Sequence, residues 1–139
     1  MKNSLKAFII VFALTSIAVF AQQQQQVSSE QLKNLKIKPV FTYDEILFSY
    51  NLLNSVEITG SEVDNFFAAR DAFAVVIKAA QGKNKKGTDT DIIEMDIQTA
   101  QIFINLMKRA KITGAQAEMY KKIQMIITEA ANASKSQVK

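Results

Sequence analysis

Hydrophobic residues fall along this chain in two patterns. Positions 7–20 form an almost unbroken apolar run, interrupted by Thr15 and Ser16. From Phe41 onward apolar residues instead recur every three or four positions, the spacing of one helix face. Four such blocks predict four helices. Ile46, Leu47, Tyr50, Leu53 and Val56, widened by Phe48 and Leu52, mark a helix over about 43–56. Val63, Phe66, Phe67, Phe73, Val76 and Ile77 mark a second that runs to about residue 80, with Gly82 placed to end it. Ala100, Phe103, Leu106, Met107 and Ala110 are the stripe of a third. Its start has two readings: Ile92, capped by Thr90 or Asp91, or Ile97, capped by Asp96 after an extended stretch. Ala117, Tyr120, Ile123, Ile126, Ile127 and Ala130 mark a fourth, from Ala115 to about 133, followed by a polar tail over 134–139 expected to fray.

The helix starts carry a repeated signature. Thr42 and Glu45 have the spacing of a capping box, in which the Thr hydroxyl and the Glu carboxylate each satisfy a backbone N–H, and Phe41 and Ile46 flank it as a hydrophobic staple. Thr59 with Glu62, and Thr113 with Gln116, repeat the pattern beside Ile58 and Ile112. Connections this short fold successive helices back antiparallel. The predicted fold is therefore all-α: a four-helix bundle built from two antiparallel hairpins over 41–133. Sliding the chain by 54 residues superposes Ile58-Thr59-Gly60 on Ile112-Thr113-Gly114 and Asn51-Leu52 on Asn105-Leu106. Internal duplication and convergence on a favourable corner both account for this.

Upstream, 22–26 is a run of glutamines with nothing to bury, which opens a flexible spacer and lead-in over 22–40. Within it, 27–40 is read as a helical turn followed by an extended segment in which Leu35-Lys36-Ile37-Lys38 alternates and Pro39 stops a helix. Residues 81–90, with two glycines and three lysines, are the main loop.

The first block changes the picture most. Lys2 and Lys6, about 14 apolar residues and the Val19-Phe20-Ala21 end match a secretory signal cleaved between Ala21 and Gln22. The run is shorter than the ~20 residues that span a bilayer. With no cysteine to carry a lipid, the expected product is exported, periplasmic or extracellular, and has no transmembrane helix after processing. Removing Lys2 and Lys6 from the 17 basic residues leaves 15 against 13 acidic, a net charge of +2. So slight an excess, with two arginines, argues against a nucleic-acid partner. The absence of Cys and His removes disulfides, thiolate and imidazole catalysis and the usual zinc sites, and no cofactor motif is present. The expectation is a non-enzyme.

Arg70 is the candidate ligand-binding residue, since spacing puts it among Phe66, Phe67 and Phe73. It either anchors an anionic group in the core, or its stem covers apolar surface while the guanidinium reaches solvent or Asp44, Glu45 or Asp71; the second reading is favoured. Asp89, Asp91, Glu94 and Asp96 have the density of a hard-cation site but not the order of an EF-hand, and acids near a helix start are stabilised by its dipole without a metal. Lys83, Lys85 and Lys86 are read as solvated rather than as a contact to an acidic surface. The leading functional reading is an exported interaction protein with an unknown protein partner or self-association, through the wide apolar face that Phe48 and Leu52 give the first helix. The alternative is a carrier of an apolar or amphiphilic small molecule, held in the core with Arg70 near its acidic group. A carboxylate hydrolase would require Asp44, Glu45, Asp89 and Asp96 to converge.

Overall fold

A computed structural model of the chain describes residues 35–136; the expected signal, its cleavage point at Ala21 and Gln22, and the glutamine run lie outside them. The order of elements is β1 (Lys36–Ile37), β2 (Val40–Thr42), α1 (Tyr43–Asn54), a 3-10 turn at Gly60–Glu62, α2 (Val63–Ala80), β3 (Thr90–Ile92), β4 (Met95–Asp96), α3 (Ile97–Met107), a second 3-10 turn at Gly114–Gln116, and α4 (Ala117–Ser136).

The all-α four-helix bundle expected from the periodicity is corrected by the strands. The described chain is mostly helical, but two small two-stranded antiparallel sheets lie ahead of the helix pairs, β1 on β4 and β2 on β3. Their cause is local. Pro39 bars a helix through its neighbourhood, and Ile37, Val40, Thr42, Thr90 and Ile92 are β-branched residues that favour extended backbone. Segments of two or three residues have too few hydrogen bonds to stand alone, so each pairs with the other half of the chain. The lead-in expected to be a spacer thus carries β1 and the start of β2, and the third helix begins at Ile97 under an Asp96 cap, whose carboxylate accepts from the Thr99 N–H at 2.6 Å.

The pairing is reciprocal. Lys36 faces Asp96 and Ile37 faces Met95; shifting each member by 54 gives Thr90 opposite Thr42 and Asp91 opposite Phe41, the register of the second sheet. The first helical N–H groups, which have no partner within their own helices, are closed in the same crossed manner. Tyr43 N–H donates to the Asp89 carbonyl at 2.8 Å, and Ile97 N–H to the Leu35 carbonyl at 3.0 Å. One bond breaks the symmetry: Ile93 N–H donates to the Pro39 carbonyl, and Pro39 has no N–H to return.

The core lies between the halves. Phe41, Phe73 and Phe103, from β2, α2 and α3, are fully buried, with ring centroids 5.8 Å and 4.8 Å apart along the series. Each such side chain contributes about 1.5–3 kcal/mol through burial. Ile37, Ile46, Leu53, Ala69, Ile93, Met107 and Ile123, with the polar Ser49, share the solvent-free interior. The apolar face of α1 is spent here, since Leu52 is buried and Phe48 packs half-buried against the core. Helix α2 buries Ala69, Phe73 and Ala80, while the longer α4 buries Ile123 and Ile127 alone.

Candidate interaction surface

Helices α2 and α4 occupy equivalent places in the two halves, and their outward faces differ in kind. At 100° per residue, Asp64, Phe67, Ala68, Asp71, Val75 and Lys78 fall in one stripe of α2, all of them exposed and opposite the buried Ala69, Phe73 and Ala80. Phe67 is 42% and Val75 67% exposed. The corresponding stripe of α4 is Glu118, Lys121, Lys122, Met125, Glu129 and Asn132, where Met125 is the one apolar member. Lys121 stands where α2 has Phe67, and Glu129 where α2 has Val75.

Arg70 organises the α2 face. Its Nε and Nη2 donate to Asp71 Oδ1 at 3.2 and 2.9 Å, and its Cζ lies 4.5 Å from the Phe67 ring centre and 5.6 Å from that of Phe66. The two rings meet nearly edge to face at 5.5 Å. Stacking of this kind contributes about 0.5–1 kcal/mol at an exposed site, and an exposed ion pair no more than ~1 kcal/mol. Their combined effect is to fix the orientation of Phe67. Arg70 therefore takes the Asp71 partner of the three carboxylates considered, and lines neither cleft described below.

The first cleft, about 450 Å³, opens between the start of α1, the 81–89 loop and the start of α4, with Asp44, Glu45, Gly87, Glu118 and Lys122 in its wall. A Cβ built on Gly87 would overlap the Asp44 carboxylate, and Asp44 N–H donates to the Gly87 carbonyl at 3.0 Å. Glu45 is only 3% exposed. One carboxylate oxygen accepts from Thr42 N–H at 2.7 Å, closing the capping box, and the other meets Lys122 Nζ at 2.6 Å. Burial by itself would push the Glu45 carboxyl up, but the Lys122 ammonium together with the Thr42 N–H and hydroxyl outweighs it and holds the group below its ordinary 4.5.

The second cleft, about 420 Å³, sits at the α1–α2 corner beside Thr59, Arg109 and Lys111. Arg109 reaches across to the Glu62 carboxylate and the Glu57 carbonyl, and this guanidinium, with the Thr59 backbone and hydroxyl, lowers Glu62 to about 2. Glu62 accepts from Thr59 N–H at 2.9 Å, as Gln116 does from Thr113 N–H at 2.9 Å. In both 3-10 turns the threonine hydroxyl bonds that same side chain, while the N–H of Glu62 or Gln116 goes to the threonine carbonyl. A tighter i-to-i+3 turn brings the carbonyl into reach first.

The acidic run is divided among structural tasks. Asp89 accepts from Lys86 N–H, Asp91 pairs with Lys85, Glu94 with Lys38, and Asp96 caps α3. Among the described residues no three carboxylates form a cluster able to hold a metal ion. Periodicity misses the two long-range ties, Glu45 with Lys122 and Glu62 with Arg109, because their partners are far apart in sequence and neither pair has a local signal. It also sets Phe67 on the buried stripe of the second helix, which its exposure corrects, and passes over Val75. Comparison with protein-family models, with curated proteins and with solved structures yields no match to this chain.

Proposed function

We propose that this chain is an exported, non-enzymatic interaction protein and that the outer face of α2 is its binding surface. The observation that carries the reading is the contrast between equivalent helices. A frame that accepts Lys121 and Glu129 on α4 does not require Phe67 and Val75 at the same places on α2, so their exposure is not a demand of the fold. Aromatic and arginine side chains are also the residues enriched at the energetic centres of protein interfaces. Here Arg70 and Phe67 are already held in contact, which lowers the ordering cost of binding. Export is supported by the basic, apolar and small-residue sequence of 1–21.

A photo-crosslinking residue placed at Val75 or at Glu129 in the expressing cell tests both parts. The expected result is a defined adduct from position 75, none from 129, and a processed chain beginning at Gln22 in the exported fraction. Equal labelling from the two positions, or none from either, would remove the binding reading; retention of the chain in the cytoplasm would remove export.

A further inference from the structure

We propose that α2 is the contact helix of a symmetric dimer, laid antiparallel on the α2 of a second copy with Asp71 at the twofold axis. The inference rests on the reading that the outer face of α2 is the binding surface, and it names the occupant of that face. Antiparallel pairing about residue 71 matches positions whose numbers are equidistant from it. Phe67 then meets Val75 of the second copy, and Val75 meets its Phe67, so the four large exposed apolar side chains of the two helices are covered. Asp64 meets Lys78 of the second copy, and Lys78 its Asp64. The stripe is thus self-complementary in shape and in charge, the condition for an isologous interface.

The remaining match is Asp71 on its own copy, a like-charge contact that would oppose association. Each Asp71, however, already accepts two bonds from Arg70 of its own chain, and the guanidinium beside it screens the pair. The stripe on α4 has no such symmetry, since pairing about Met125 would set Lys121 against Glu129 but Glu118 against Asn132, with no apolar contact beyond Met125 on itself. An 18-residue helix is about 27 Å long, and one helix face per copy is a small interface compared with ~800 Å² per partner. The dimer is therefore reversible and concentration-dependent.

The chain contains no cysteine, so introduced thiols report contacts without background. The full chain is expressed with its N-terminal segment, purified as the cell processes it, and followed by sedimentation and by disulfide trapping. Phe67→Cys mixed with Val75→Cys should give the mixed disulfide, and Asp71→Cys should cross-link to itself. Phe67→Cys alone should not, because the two positions lie about 12 Å apart along the paired helices, beyond the ~7 Å between Cα atoms that a disulfide spans. Asp64→Lys and Lys78→Asp should each weaken dimerisation several-fold, and the double exchange in one chain should restore it; Val75→Lys should abolish it with an unchanged circular dichroism spectrum. Self-linking of Phe67→Cys in preference to the mixed pair, failure of the double exchange to rescue, or a monomer at every concentration would overturn the proposal. An adduct from position 75 to a different protein, with no self-adduct, would overturn the dimer while leaving the binding reading in place.

Discussion

Helix α2 is held from inside by rings and faces outward with Phe67 and Val75; helix α4, its counterpart 54 residues on, buries Ile123 and Ile127 and faces outward with charge. At its start α4 adds to that packing the bond from Lys122 to the buried Glu45. The same topological position can thus be anchored by packing alone or by packing with an ion pair, and the choice leaves different faces available. It also makes the two helices answer differently to mutation and to acid.

The largest expected effect lies in the inner faces. Phe73→Ala, which removes a ring touching both Phe41 and Phe103, should cost about 3–5 kcal/mol in denaturant unfolding, and Ile127→Ala nearer to about 2 kcal/mol. Equal losses at the two positions would break the distinction between a packed and a tethered helix.

Next is the tether. Glu45→Ala leaves Thr42 N–H and Lys122 without their acceptor and should cost about 1–2 kcal/mol. Because the folded carboxyl titrates below its ordinary 4.5, its contribution is complete above that value and is lost as pH falls through the lowered one. The equivalent residue in the second half, Thr99, carries no charge and gives no such dependence. Glu62, lowered to about 2, follows the same sign over the window from 4.5 down to about 2, and its neutral counterpart Gln116 does not titrate. Hydrogen exchange corrected for intrinsic rates should show the start of α4 losing protection on acidification in the native chain, and already weakly protected with little further pH dependence in Glu45→Ala. The same acid dependence in both chains would contradict the assignment of the tether.

A smaller effect, of opposite sign, is expected at Ser49, fully buried with a hydroxyl that has no hydrogen-bond partner among the described residues. Its equivalent is the apolar Phe103. Ser49→Ala should raise stability by about 1 kcal/mol, and a loss of that size would reveal a bond to the hydroxyl. The smallest effect concerns the outer faces: Val75→Lys, measured at concentrations where the chain is monomeric, should change stability by less than about 0.5 kcal/mol. A larger loss would return Val75 to the fold and remove it from the surface.

Helices were legible in the sequence because their signals are local. Thr42 with Glu45 and Thr59 with Glu62 announce a start within four residues, Gly82 at φ 80° marks an end, and the three-four spacing runs uninterrupted between them. The sheets were not: Leu35–Lys38 reads as extended, and so does one of the two readings of 92–95, but two- and three-residue segments such as Lys36–Ile37 and Met95–Asp96 carry no signal that names their partners, which lie some 60 residues away. The wide stripe of α1 suggested an outer contact face, yet in this compact fold a wide stripe is what a helix surrounded by neighbours requires. The outward residues of α2 escaped because its apolar residues, Val63, Phe66, Phe67, Phe73, Val76 and Ile77, spread over a broad arc, and only the packing centres the buried face on Ala69, Phe73 and Ala80, which leaves Phe67 and Val75 on the far side.

The crossed pairing of strands has a temporal consequence. Until Thr90–Ile92 and Met95–Asp96 have emerged, Val40–Thr42 and Lys36–Ile37 have nothing to bond, and the amide of Tyr43 lacks the carbonyl of Asp89. A growing polypeptide that ends before residue 89 cannot close either sheet, so this topology postpones completion of the leading half until the trailing half has been made.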